Sequence, residues 1–238
     1  MTLLWIIILF IILLLVYFIM SYILNYDIMP IIYKFGNGHP KIVLLAGSHG
    51  NEPAPGHYLY KLASEMQLKK FSTMKLNIVI IPYVNPSAIL KGDRSLFLHE
   101  DVNRSWDNSY ITKINKYLEP VLKNANLIVD FHEGYDFHLC NKKSIGQTIF
   151  TTDKSYLPVI NKIVKTLNKQ IIIPNKKCAK WTVRADDKKI VGSLKEWSIN
   201  RNIPYILIEI AGQDDIVPMN VRMNETKIIV NEIFNKLT

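Results

Sequence analysis

Charge is missing from the first 26 residues: no Asp, Glu, Lys or Arg occurs before Asp27. Residues 3–24 are nearly all Leu, Ile, Val, Phe, Tyr, Trp or Met. A helix of that length spans about 30 Å of hydrocarbon, and Trp5, Tyr17 and Tyr22 lie near its ends, where aromatic side chains favour an interface. The marks of a cleaved signal peptide are lacking too, since no Lys or Arg precedes the run and no small-x-small site follows it. The sequence therefore predicts a transmembrane anchor over residues 1–25, making a single-pass membrane protein, and one domain over residues 26–238. That domain is long enough for a full hydrophobic core. The side of the membrane stays open, because lysines after the run favour a cytoplasmic body while large domains translocate largely regardless of charge.

Cysteine is nearly absent. Two residues, Cys140 and Cys178, exclude a disulfide framework but not a single bridge. Internal repeats are lacking, and so is any basic run interleaved with aromatics. The net charge of +9 arises from 29 Lys and Arg against 20 Asp and Glu, spread as singles and pairs. No nucleic-acid partner is expected from that pattern. The charge instead biases the domain towards anionic surfaces or substrates. Oligomeric state is left open.

What is present is an alternation of apolar runs and amphipathic stretches. Strands are expected at 41–46, 75–81, 126–131, 147–151, 170–173 and 204–210. Helices are expected at 56–69, 109–122, 156–169, 193–200 and 217–237, where apolar residues recur at helical spacing. Such alternation predicts an α/β/α sandwich with a mixed, mostly parallel sheet. Residues 26–38 read as a connector. The polar segment 83–108 is long and irregular for a compact domain, and such segments are usually functional or disordered. Arg94 and Arg104 favour function here.

The candidate chemistry starts at Gly47-Ser48-His49-Gly50-Asn51-Glu52, directly after the first core strand. Ligands of α/β sheets bind at the carboxyl edge of the strands, and the flanking glycines permit a tight turn. His132, in Asp130-Phe131-His132-Glu133-Gly134, ends a second strand in the same way. His49, Glu52 and His132 make the two-histidine, one-glutamate set of a catalytic zinc site with a position left for water. Glu209 is the candidate base, as the only charged residue in the apolar run 203–211. Arg94, Asp101, Asn103 and Arg104 supply polar groups nearby in sequence, and arginine suits a two-pronged grip on a carboxylate.

At this point the chain resembles the zinc carboxypeptidase superfamily, and within it the succinylglutamate desuccinylase/aspartoacylase-like branch. The resemblance runs in order through G-S-H-G-N-E (47–52), N-P (85–86), Arg94, D-V-N-R (101–104), D-F-H (130–132) and G-S-L-K-E-W…I-P-Y-I-L-I-E (192–209). It implies one Zn²⁺ held by His49, Glu52 and His132, with Asp101 orienting the first histidine. It also implies Arg94 polarising the scissile carbonyl, Asn103 and Arg104 gripping a substrate carboxylate, and Glu209 acting as general base and acid.

Two features depart from the conventional pattern. Conventional carboxypeptidases carry a capping tyrosine some five residues before the G-S segment, whereas residues 184–188 here read Arg-Ala-Asp-Asp-Lys. Only 80 residues separate Glu52 from His132, as in the short branch. Leu194 or Lys195 falls near the expected side-chain pocket, and Lys195 there would favour an acidic side chain, while Glu133 and His138 are either specificity residues or loop surface. The expected activity is a membrane-anchored, zinc-dependent hydrolase cleaving an amide bond in a carboxylate-bearing substrate, of the N-acyl amino acid deacylase type. The alternatives are a metallocarboxypeptidase acting on peptides and a non-catalytic binding module at a membrane.

Overall fold

Strands form where aliphatic and β-branched residues run unbroken. The computed structural model describes residues 2–24, 28–68, 75–95, 101–107, 111–170, 173, 178–185 and 190–237. Its strands are β1 (Tyr33–Phe35), β2 (Lys41–Ala46), β3 (Asn77–Ile81), β4 (Leu127–Gly134), β5 (Thr148–Thr151), β6 (Thr182–Val183) and β7 (Tyr205–Ala211). The longer helices are α1 (Thr2–Leu24), α2 (Pro53–Leu68), α3 (Pro86–Lys91), α4 (Lys113–Leu122), α5 (Leu157–Gln170), α6 (Leu194–Asn200) and α7 (Met219–Leu237). The sheet order is β1-β3-β2-β4-β7-β5-β6. Its centre, β3-β2-β4-β7, is parallel, while β1 and β5 pair antiparallel with β3 and β7. This matches the expected mixed, mostly parallel sheet.

Both faces are covered. Ile42, Leu44, Val129, Phe131 and Ile208 pack with α2, α5 and α7 through Leu59, Ile163 and Ile229. On the opposite face Val43, Leu45, Ile128 and Leu207 pack with α4 and α6 through Leu118 and Trp197. Alternate residues of one strand thus enter two cores, and for this reason β2 shows no polar stripe.

Several boundaries differ from the sequence expectation. Strand β4 continues through His132, Glu133 and Gly134 because these pair with Glu209, Ile210 and Ala211 of β7. The connector contains β1, and the polar segment contains α3, which Asn85 caps by accepting from Ala88 N at 3.2 Å. The helix expected over 109–122 begins at Lys113, capped by Thr112, with 109–110 outside the described residues. Of the strand expected over 170–173, Gln170 ends α5 and 171–172 lie outside the described residues.

The expected membrane anchor is corrected. Among the described residues, no helix is long and apolar enough to cross a membrane. The single-pass placement and the membrane partner expected from this run go with it.

Cys140 and Cys178 form a disulfide across 38 residues, with Cα atoms 5.3 Å apart, which resolves the pairing the sequence left open. Breaking the bond by Cys178→Ser is expected to cost about 2–4 kcal/mol, since the cross-link restrains the unfolded chain. Urea denaturation of the oxidised and variant proteins measures it. A second outcome concerns Glu225 of α7, which is buried and accepts from Trp181 Nε1 and Gln147 Nε2, each at 2.9 Å. Burial pushes its carboxyl up to about 7, against the partial relief of those two donors and of Arg222. Because the folded value exceeds the unfolded one, the stability this group contributes is complete below about pH 4.5 and is lost as pH rises through about 7. Glu225→Gln should therefore melt progressively higher than wild type as pH rises through that window, by thermal scans at pH 4.5, 6 and 8.

Candidate metal centre

The turn after β2 brings the first two candidate ligands to the carboxyl edge of the sheet. Gly47 adopts φ +66°, and Val84 N and Asn85 N bond to Ala46 O and Gly47 O at 2.8 and 2.9 Å. Gly50 lies so close to Ala88 that an added Cβ would stand 1.9 Å from its carbonyl oxygen. That packing fixes the path of residues 47–52 and leaves Glu52 immediately ahead of α2. His132 arrives from the adjacent strand, because β2 and β4 are hydrogen-bonded neighbours.

The three side chains converge. His49 Nδ1 and His132 Nδ1 each lie 2.7 Å from a different oxygen of Glu52. All three are 2–3 % exposed, and their donor atoms lie within 4.8 Å of one another, a group able to hold a metal ion. The far nitrogen of each ring faces a carboxylate: His49 Nε2 is 3.1 Å from Asp101 and His132 Nε2 is 3.2 Å from Asp130. A ring proton on each Nε2 would satisfy those carboxylates. Both Nδ1 lone pairs then point at the Glu52 carboxylate, which is itself an acceptor. A cation between them satisfies all three, so the donor set fits a metal.

The protonation equilibria carry the same demand for positive charge. Burial opposes ionisation of both histidines, yet Glu52 and Asp101 raise His49, and Asp130 and Glu52 raise His132 well above the ordinary value. Burial alone would raise Glu52 and Asp101 as well. The neighbouring histidines outweigh it and hold both carboxyls well below the carboxylate range.

A cavity of about 270 Å³ opens beside this centre, lined among others by Arg94, Asn103, Arg104, Lys195, Tyr205 and Glu209. Glu209 is the register partner of His132. Burial pushes its carboxyl up to about 7, with His132 pulling down and Glu52 pushing up. Arg94 is nearly half exposed and bonds Asp101 through Nε at 3.1 Å and Nη2 at 3.0 Å. Asp101 also accepts from Asn103 N at 2.8 Å, so one carboxylate ties the first histidine, the arginine and the Asn103–Arg104 turn together. Asn103 Oδ1 accepts from Leu194 N at 2.9 Å, and Arg104 donates to Asn103 O at 2.6 Å. His49, Glu52, His132, Arg94, Asn103, Arg104, Lys195 and Glu209 thus line one cleft, with Asp101 hydrogen-bonded behind them.

Glu133 and His138 have other surroundings. Glu133 is buried, accepts from Ala54 N at 2.7 Å and pairs with buried Arg222. Burial pushes its carboxyl up to about 7 despite that arginine. His138 Nδ1 lies 2.8 Å from Ser144 O in the loop after β4. Two further residues of the centre escaped the sequence reading. Asp130 follows from strand alternation, which places 130 and 132 on one face, and Tyr205 Oη donates to it at 2.6 Å. Gln213 had no sequence signal. Its Nε2 donates to Glu52 Oε1 at 3.1 Å and to Glu133 O at 2.6 Å.

With that geometry in hand, comparison with known proteins is informative. Residues 38–141 match the family model of the succinylglutamate desuccinylase/aspartoacylase catalytic domain. The apo cell shape determinant protein Csd4 of Helicobacter pylori superposes with a TM-score of 0.69 and 16 % identity, over 87 % of this chain and 54 % of that one. Its mDAP-bound form, a D,L-carboxypeptidase, gives 0.66 and 17 % over 83 % and 51 %. An aspartoacylase family protein of Mesorhizobium loti gives 0.54 and 15 % over 85 % and 60 %. The chain thus spans about half the length of Csd4. Among curated proteins, none matches this sequence. By fold the chain is similar to metallopeptidase-like proteins such as Csd4. Residues 38–141 match the desuccinylase/aspartoacylase catalytic domain, a likeness shared with the Mesorhizobium loti structure.

Gln213→Ala should weaken metal binding about tenfold, because it removes the amide that donates to one oxygen of Glu52. Competition between the protein and a fluorescent chelator for Zn²⁺ measures this without reference to turnover. An unchanged affinity would show that Gln213 does not set the carboxylate's position.

Proposed function

We propose that residues 26–238 form the catalytic domain of a zinc-dependent hydrolase that cleaves an amide bond in a carboxylate-bearing substrate, of the N-acyl amino acid deacylase type. The observation that carries this reading is the meeting, on adjacent strands, of a buried two-histidine, one-glutamate group with Glu209. His49, Glu52 and His132 would hold the zinc. When bound, it supplies Lewis acidity, polarising a carbonyl and making water more acidic.

The chain's own side chains divide the remaining work. Glu209, poised near neutrality, takes a proton from the attacking water and returns it to the leaving amine nitrogen. Arg94 offers a guanidinium to the oxygen on which negative charge develops, an electrostatic role that gains strength in a partly dry cleft. Asn103 and Arg104 hold the substrate carboxylate, and their turn is kept in place by Asp101 and Leu194 N. Asp101 and Asp130 fix the two rings, while Gln213 and Glu133 N fix the Glu52 oxygens. A second reading, a carboxypeptidase acting on peptides, is favoured by the likeness to Csd4, a D,L-carboxypeptidase.

Metal analysis of the zinc-reconstituted protein should return about one zinc per chain. Glu209→Gln should keep that metal and lower kcat on an amide substrate by about 10²-fold or more. A panel of N-acetyl amino acids and short peptides, scored by released amino acid, separates the two readings. Absent zinc, or full activity in Glu209→Gln, overturns the assignment.

A further inference from the structure

Behind the metal centre, away from the cleft, lies a buried cation. Arg222, in the first turn of α7, is 1 % exposed and is not among the residues that line the cavity. An arginine is costly to bury and is kept inside only where its charge and donors are met. One arm of its guanidinium, Nη1, donates to Glu133 Oε2, and the other, Nη2, donates to Asp215 Oδ1. The seat is close-fitting. A Cβ added at Gly212 would stand 2.3 Å from Glu133 Oε2 and 2.7 Å from Arg222 Cδ. The helix itself is held down by Ile229, Val230 and Ile233 in the apolar layer.

Both carboxylates that Arg222 grips lead to Glu52. Glu133 has each of its polar atoms engaged. Its N donates to Glu52 Oε2 at 3.2 Å, and its O accepts from Gln213 Nε2 at 2.6 Å. Its Oε1 accepts from Ala54 N at 2.7 Å, two residues beyond Glu52. Asp215 lies two residues after Gln213 in the same short helical turn, Gln213–Asp215. Gln213 Nε2 in turn donates to Glu52 Oε1 at 3.1 Å. One guanidinium therefore stands behind groups that meet both oxygens of Glu52, by way of Glu133 on one side and the Gln213 turn on the other.

We propose that Arg222 is a positioning residue for the metal centre, fixing the Glu52 carboxylate through Glu133 and the Gln213 turn at once. The planar fork of arginine suits this task, since its donors are spaced rigidly enough to hold two carboxylates in one relation. A lysine keeps the buried positive charge but offers a single point from which to serve both. This role rests on the reading of His49, Glu52 and His132 as zinc ligands, yet the two fail in different ways.

The test uses the full chain and Zn²⁺ itself, in competition with a fluorescent chelator. Arg222→Lys should weaken zinc binding about tenfold, the loss typical when the support of a metal ligand is removed. Ile229→Ala loosens the same helix by emptying a site in the apolar layer, and it should bind zinc as the parent chain does. Urea unfolding of the metal-free chains checks that each is folded under the conditions of the titration. Visible absorption of the Co²⁺-loaded chains adds a readout of ligand geometry. That spectrum should change in Arg222→Lys and not in Ile229→Ala. If Arg222→Lys does not fold, Asp215→Asn takes its place, because the Asp215 side chain is exposed. It weakens one arm and should cost about threefold in zinc affinity. Parent-like affinity in the folded variant overturns the positioning role alone. So does an equal loss in Ile229→Ala, or a loss with the Co²⁺ spectrum unchanged. A parent chain that binds no zinc overturns the metal-centre reading, and the positioning role with it.

Discussion

The structure depends on one buried carboxylate. Glu52 is nearly inaccessible to water and would be costly there as an unpaired anion. Its oxygens are met by two imidazoles, the Gln213 amide and the Glu133 backbone N–H. These partners come from three parts of the chain: the turn after β2, the strand β4, which supplies both His132 and Glu133 N, and the turn after β7. The parallel centre of the sheet is what makes this meeting possible, because it aligns the carboxyl ends of β2, β4 and β7 along one edge.

Around that point the molecule is arranged in shells of opposing charge. Asp101 and Asp130 stand behind the two rings, and the buried Arg222–Glu133 pair stands behind the end of β4. Cations face outward into the cleft from Arg94, Arg104, Lys143 and Lys195. The two apolar layers on the sheet faces are otherwise ordinary aliphatic packing, and they matter to the site by fixing the register of β4 against β7.

Much of this could be read before the fold was known, for local reasons. The glycine-flanked turn at 47–52 offers two donor groups at a strand end, a weak signal alone that gains weight from His132 in a matching strand-end context. Glu209 stood out because an anion inside an apolar run demands a partner. The same logic misled at the N-terminus, where the apolar run predicted a membrane anchor, yet no described helix is long and apolar enough to cross one. It also stopped β4 too early. His132 and Glu133 look like the polar mouth of a loop, but they continue the ladder because β7 offers Glu209 and Ile210 as partners.

By itself, then, the chain's sequence determined the elements and the identities of the chemical groups, because side-chain period and turn chemistry are encoded within a few residues. The tertiary structure decided the pairings: Asp130 with His132, Gln213 with Glu52, Glu133 with Arg222, Cys140 with Cys178. Only the sheet order and the β4–β7 register bring those distant residues within hydrogen-bonding reach, and no periodicity along one strand can specify which strand will lie beside it. The opening loop 47–52 supplies two donors wherever it folds; they join a group able to hold a metal ion because β4 is its neighbour.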